Sequence, residues 1–251
     1  MQAHAKRGAA PAWRLLHTWD GEPGYQMALD EALLLSPDDQ PVLRFYTWEP
    51  DALSLGYFQR WARIDERHHA STVVRRLTGG GAIHHANELT FSIAARLDHP
   101  LYRGPVGDSY ARIHGILAHA LADFGIEARL REERSVASDR SDTSMCFHES
   151  TPLDLIWDER KGVGSAQRRS GGRVLHHGSI KLGTTPLEGD VAQVWNHAGD
   201  LGPKELARRI MASFEELEGT GFEASEPTAA EHERGLERAA HFRSKAFLER
   251  R

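Results

Sequence analysis

The chain has one cysteine, Cys146, and it stands fifteen residues before Lys161. A thiolate is a strong nucleophile toward acyl carbons, but with an ordinary thiol pKa of about 8.5 only a few per cent is ionised at neutral pH, so a nearby cation is what such a cysteine needs. Lys161 is the leading candidate, with His85, His148 and His177 behind it. Lysine is scarce in this sequence and arginine far commoner, and Lys161 opens the run Lys161-Gly162-Val163-Gly164-Ser165-Ala166-Gln167. Small neighbours leave an ammonium partly desolvated and free to face a developing oxyanion or a carbonyl. Each residue also has a plainer reading. A lone free cysteine is more often a buried small hydrophobe, and a lysine at a hairpin is often a solvated surface charge. Against the first stands the setting of Cys146: Arg131 to Ser144 is charged and polar without apolar periodicity, a long exposed loop that runs directly into the cysteine.

A second constellation is Arg75-Arg76-Leu77-Thr78-Gly79-Gly80-Gly81-Ala82-Ile83-His84-His85. Three successive glycines let backbone pass close to a ligand, with N–H groups facing a carbonyl or phosphate oxygen. Alone the triplet reads as a flexible turn; the flanking arginines and histidines favour a ligand. Another His-His pair follows the lysine hairpin in Leu175-His176-His177-Gly178-Ser179-Ile180. Of the fifteen histidines no pair has metal-ligand spacing with a third partner, and His114 and His119 are five apart on different helix faces. No metal site and no cofactor are expected.

These groups need elements to hold them. Met27, Ala28, Ala32, Leu34 and Leu35 recur with helical spacing over Gly24 to Ser36, with Asp30 and Glu31 as polar insertions. Pro41 to Trp48 and Ser71 to Arg76 read as strands, and Glu88 to Arg96 alternates as a half-buried one. Tyr110, Ile113, Leu117, Leu121 and Phe124 mark a helix over Asp108 to Phe124, closed by Gly125. Leu153 to Trp157, Gly162 to Arg168 and Arg173 to Leu182 form a strand meander, Pro203 opens a helix through Leu217, and the segment after Pro227 is charged and helical. Mixed order with antiparallel neighbours predicts an α+β fold on a mostly antiparallel sheet flanked by helices. Residues 13–251 read as one domain and 1–12 as a disordered tail. With 251 residues, 40% hydrophobic and 27% charged, and a net charge of −5 without basic runs, the composition is that of a globular protein with no nucleic-acid footprint. No signal peptide or membrane span is legible, so a cytoplasmic location away from membranes is expected.

Taken in order, Met27-Ala28-Leu29-Asp30-Glu31-Ala32-Leu33, Leu43-Arg44-Phe45-Tyr46 with Ser54-Leu55-Gly56, the Arg75 to His85 segment, Glu88-Leu89-Thr90-Phe91-Ser92 and Lys161 through Ile180 resemble the lipoate and biotin protein ligase and octanoyltransferase superfamily, over roughly residues 13–183. The resemblance implies a ligase-like catalytic domain in which the glycine segment and the lysine hairpin flank an acyl pocket and Lys161 contacts the carbonyl region of the acyl group. Carried onto this chain it gives Cys146 and Lys161 as catalytic residues, and Arg75, Thr78, Gly79, Gly80, Gly81, His84, His85, Gly164, Ser165, Ala166, His177 and Gly178 as substrate-binding ones. One departure is Ala86, where the family often has an acidic residue after His-His; a contact to substrate or to a histidine is expected to be missing.

Cys146-Phe147 in the loop before the lysine hairpin is similar to the cysteine-containing octanoyltransferases and amidotransferases. The ATP-dependent ligases of the superfamily need no nucleophilic cysteine and often carry a further C-terminal domain, whereas only about seventy residues follow Gly183. The resemblance thus implies transfer of octanoyl or lipoyl, without ATP, from acyl carrier protein or an acylated glycine-cleavage-type H protein through Cys146 to a lysine of a lipoyl-domain protein. An ATP-dependent lipoate ligase and a non-catalytic acyl-binding relative are the alternatives. If Lys161 acts by charge rather than by packing, replacing it with alanine is expected to leave the fold intact.

Overall fold

In the computed structural model, which describes residues 12–64, 70–141 and 143–250, strand β1 (Trp13–Gly21) leads into helix α1 (Pro23–Leu34). The helix starts where its sequence says it should, with Pro23 in the first turn and the Glu22 carboxylate accepting from the Tyr25 N–H at 2.7 Å. Strands β2 (Val42–Trp48), β3 (Ala52–Leu55), β4 (Thr72–Arg75), β5 (Ile83–His85) and β6 (Glu88–Arg96) follow. Helix α2 (Val106–Ala122) stops just before Gly125, whose φ of 75° suits glycine. Then come β7 (Arg129–Leu130), β8 (Leu155–Trp157), β9 (Arg160–Ser170), β10 (Arg173–Lys181), the short α3 (Trp195–Ala198), α4 (Pro203–Glu218), β11 (Phe222–Ala224), α5 (Ala229–Phe242) and α6 (Lys245–Leu248). The tail expected over 1–12 lies outside the described residues except for Ala12.

Eight strands form one sheet in the order β11-β1-β2-β6-β10-β9-β8-β7. From β2 to β7 every neighbour is antiparallel; β1 lies parallel to β2 and β11 parallel to β1. The expected α+β architecture on a mostly antiparallel sheet is what the chain adopts. A separate three-stranded sheet, β4-β3-β5, holds the glycine segment in the connection between β4 and β5. The glycine segment and the lysine hairpin β9–β10 belong to different sheets and meet across a cavity between them.

The large sheet is covered on both faces. On one side Phe45, Phe91, Ile93, Val163, Val174 and Ile180 pack with Ile113 and Leu117 of α2 and Leu206, Ile210 and Phe214 of α4. On the other, Leu16, Val42 and Ala94 pack with Leu29 and Leu33 of α1, which α5 covers in turn. Strand β6 is therefore buried on both faces rather than half-buried, with Thr90 at 4% and Ser92 at 1% exposure. Its alternation separates two differently filled interiors: the Ser92 hydroxyl donates to Asp30 Oδ1 at 2.9 Å, and Thr90 accepts from the Trp48 indole N–H at 2.8 Å. Asp30 is likewise no solvent-facing insertion. It is buried against Arg44 Nη1 at 2.7 Å and His177 Nδ1 at 3.1 Å.

A second buried charge cluster joins β6, β10 and the loop after β10. The Lys181 ammonium lies 3.0 Å from Glu88 Oε2 and 2.6 Å from Glu188 Oε2, so two buried carboxylates share one ammonium. Burial pushes both carboxylates up; for Glu88 the His85 ring, Lys181 and the Ser179 hydroxyl outweigh it and hold the group far below the usual range. For Glu188 burial wins over the pull of Lys181, and the group is pushed up to about 7. A carboxyl raised in this way keeps its proton in the folded state where the unfolded chain has lost it. Its stabilising contribution is therefore full below pH of about 4.5 and is lost as pH rises through about 7. Glu188→Gln, which mimics the protonated acid, is expected to match the parent protein near pH 5 and to be the more stable of the two at pH 8, by on the order of 1–3 kcal/mol. Urea unfolding midpoints at the two pH values check this, and an equal or opposite ranking at pH 8 sinks it.

Candidate active site

Cys146 opens a 3-10 turn, Cys146–His148, with Met145 and Phe147 buried on either side of it and the cysteine itself half-buried. The approach to that turn is tied to the glycine segment: Ala82 N donates to Ser144 O at 2.8 Å, and Cys146 N donates to Ala82 O at 2.8 Å. Glycine is required for this. A Cβ on Gly81 would sit 2.6 Å from Cys146 N, and Gly80, at a φ of 91°, directs the chain past the Sγ atom. From within, the Arg76 guanidinium braces the loop through Nη2 to the carbonyls of Gly79 and Gly81, both at 2.7 Å, and through Nη1 to Ser54. Burial pulls the Arg76 guanidinium down from its ordinary value, with Cys146 the first of the groups acting in the other direction.

Lys161, in β9, is buried with its Nζ 2.9 Å from Asp154 Oδ2, 2.8 Å from Cys146 O and 3.1 Å from Glu149 O. The Cys146 Sγ lies 3.6 Å away. Burial acts to lower this lysine, but Cys146 and Asp154 outweigh it and the ammonium is held above its ordinary value. Gly164 makes the approach possible: a Cβ there would meet Lys161 Cε at 2.9 Å and Cys146 Sγ at 3.5 Å. Among the cations weighed for the thiol, the lysine is therefore the one beside the sulfur. The histidines are engaged elsewhere: His85 with Glu88 and Ser54, His148 with Thr143 and the Glu188 carbonyl, and His177 with Asp30 and Thr78.

A narrow cavity runs inward from Cys146. Gly79 and Gly80 line one side, and Gly164, Ser165, Ala166, His177 and Gly178 of the lysine hairpin another; Met27, Tyr46, Trp48 and His85 close the interior end. Five of the site residues taken from the sequence are not on this wall. Arg75 points the other way, donating to the carbonyls of Gly56, Gln59 and Phe247, because neighbours on a strand face opposite sides; Arg76 faces the cavity in its place. His84 faces Asp51 and Thr185, Thr78 reaches the wall only through His177, and Gly81 and Lys161 stand behind Cys146. The contact expected to be missing at Ala86 is present from another residue: Glu88, three positions after His85, receives the histidine.

The sequence reading also missed Arg76, Asp154, Trp48 and Met27 as parts of the site. Only Arg76 and Trp48 carried a signal, through strand alternation. The exposed loop before Cys146 is anchored at Val136 and at Ser138, whose hydroxyl accepts from the Lys161 N–H at 3.0 Å. Among the described residues no three His, Cys, Asp or Glu side chains gather as metal ligands, and no helix is long and apolar enough to cross a membrane.

The sequence profile of the lipoyl protein ligase A/B catalytic domain matches residues 22–224. Octanoyltransferase LipM of Moorella thermoacetica is 42% identical over 190 residues, 72% of this chain and 68% of that protein. Octanoyltransferase LipM of Halalkalibacterium halodurans is 36% identical over 182 residues, 68% of this chain and 66% of its own length, so the match spans about two thirds of these relatives. The structure of a bipartite lipoate protein ligase and its E2 lipoyl domain from Thermoplasma acidophilum shares the fold, with a TM-score of 0.74 at 21% identity over 95% of this chain and 96% of that one. With a catalytic-domain match over residues 22–224, the chain belongs to the lipoyl protein ligase A/B catalytic domain family.

Proposed function

We propose that this protein is an octanoyltransferase of lipoate assembly that carries the acyl group on Cys146. The observation that carries the reading is the position of Cys146 Sγ, 3.6 Å from a buried ammonium and on the wall of a largely apolar cavity. In the first step the thiolate attacks the thioester carbonyl of the donor; the Sγ–C bond forms, the donor C–S bond breaks, and the departing thiolate takes up a proton. In the second, a neutral lysine amine of the acceptor attacks the acyl-Cys146 carbonyl, an amide forms, Sγ leaves as thiolate beside Lys161, and the amine proton passes to water. Exchange of one thioester for another costs little, and amide formation makes the sequence favourable, so the chemistry needs no ATP. The donor in these steps is the thioester of acyl carrier protein, and the acceptor is a lysine of a lipoyl domain. The LipM relatives support this reading by their names and their similarity.

Within this reading Lys161 has two tasks. Its ammonium supplies the positive charge that favours the thiolate, and it pins the cysteine turn through the carbonyls of Cys146 and Glu149. The second task revises the expectation that its removal spares the fold. Lys161→Ala leaves the buried Asp154 carboxylate without its cation, and is expected to cost about 3–5 kcal/mol along with acyl transfer. Lys161→Ala combined with Asp154→Asn should recover much of that stability and none of the activity. Recovery of both would reduce Lys161 to a structural cation.

The decisive test pairs the parent protein with Cys146→Ala in two assays. With octanoyl-acyl carrier protein and no ATP, the parent should gain one octanoyl group that hydroxylamine removes, while the variant should show no adduct and octanoyl transfer lower by on the order of a thousandfold or more. With lipoate, ATP and magnesium, neither protein should lipoylate a lipoyl domain at a comparable rate. Ligation in that second assay, unaffected by the substitution, would make the protein an ATP-dependent ligase.

A further inference from the structure

Trp48 and His85 lie face to face, ring centroids 3.8 Å apart and planes 18° from parallel, and both are almost fully buried. They stand on the walls of two cavities at once. One is the cavity that starts at Cys146; the other is an open pocket on their far side, lined by Pro50, Ala86, Leu182 and Trp195 as well as by Asp20 and Asp51. No other described residue lines both. Resting on the acyl-transfer reading, we infer that the Trp48–His85 stack is the partition that ends the acyl cavity and so sets the longest chain Cys146 accepts.

The stack is built to stay in place. The Trp48 indole N–H donates to Thr90 Oγ1 at 2.8 Å, and the Thr90 hydroxyl donates in turn to Glu88 Oε1 at 2.7 Å. Both nitrogens of His85 are engaged, Nδ1 by the same Glu88 oxygen and Nε2 by Ser54 Oγ at 2.7 Å. Neither ring can swing aside without leaving buried polar atoms unpaired. Burial also pulls His85 down to about 4, so at neutral pH the ring presents an uncharged face to the chain end. Beyond the partition the apolar surfaces of Pro50, Leu182 and Trp195 offer room for further methylenes once the wall is cut down.

The test uses the full-length protein with the octanoyl and dodecanoyl thioesters of N-acetylcysteamine, without ATP, following acyl-Cys146 by intact mass. The parent should take octanoyl and discriminate against dodecanoyl. In Trp48→Ala the rate with dodecanoyl relative to octanoyl should rise on the order of 100-fold, the value of burying four more methylenes. Trp48→Leu makes the same cut with less lost packing and should move the ratio in the same direction. Adding Ala86→Trp, which fills the second cavity, should cancel the gain. An octanoyl adduct on parent and variants with an unmoved ratio removes the partition and leaves the transfer reading standing. No octanoyl adduct on the parent removes the transfer reading and the partition with it.

Discussion

The ammonium of Lys161 is out of water, and a buried charge persists only where its protons have partners. The three oxygens it meets all come from the stretch just before β8: the Asp154 carboxylate and the carbonyls of Cys146 and Glu149. Burying one side chain of β9 therefore dictates the path of the turn that carries the sole cysteine. The other edge of that turn is fixed by the paired backbone bonds to Ala82, which bring the glycine segment against it. Two absent side chains permit the closeness, at Gly81 against the Cys146 backbone and at Gly164 against the lysine. The sulfur's position is the product of a charge that must be compensated and of two places where only hydrogen fits.

A second polar chain locks the opposite wall. Asp30, from the middle of α1, takes Arg44 from β2 and His177 from β10, and His177 passes on to Thr78 at the start of the glycine loop. Burial would raise the Asp30 carboxyl, but Arg44 and His177 more than offset this and keep it ionised below its ordinary range. Helix, large sheet and glycine loop are thus held in one register by a single buried carboxylate. The Lys161 anchor is local and fixes the cysteine turn, whereas the Asp30 anchor joins elements far apart in sequence and holds the wall of the cavity between the sheets.

Much of this was legible in the sequence, and what was not has a common cause. The helices over 23–34, 106–122 and 203–218 and the β8–β9–β10 meander are local patterns, and their apolar spacing or turn residues announce them. Strand β1 escaped because its partners β2 and β11 lie in parallel register with it, β11 some two hundred residues away, so no adjacent turn marks the pairing. The glycine triplet, Lys161 and Cys146 stood out through composition and order. Their partners did not: Asp30 and Asp154 look like ordinary polar residues until a cation is found buried beside each. The choice of Arg75 over Arg76 shows the same limit, since strand alternation says the two differ but not which faces the cavity.

The residue types around the cavity look wrong for an acyl chain, with Ser54, Thr90, Ser165, His177 and Ser179 all on its wall. Their polar atoms, however, are turned to partners within the protein. Ser54 meets His85 and Arg76, Thr90 meets Trp48 and Glu88, and Ser179 donates to Glu88. Ser165 is held between His114 Nε2 at 2.7 Å and His176 Nε2 at 2.9 Å, two rings that burial keeps neutral, His114 being pulled down to about 4 and His176 well below its ordinary value. A hydroxyl whose hydrogen bonds are already made demands no water, and to a methylene chain it offers little more than a carbon surface. Apart from the Arg76 guanidinium, which is on the wall and tied to the carbonyls of Gly79 and Gly81, the ionised groups Glu88, Lys181, Asp30 and Arg44 sit one layer behind, each neutralised where it stands. The wall is apolar in effect because the shell behind it is polar and complete, and removing a partner from that shell would put an unsatisfied donor or acceptor into the path of the chain.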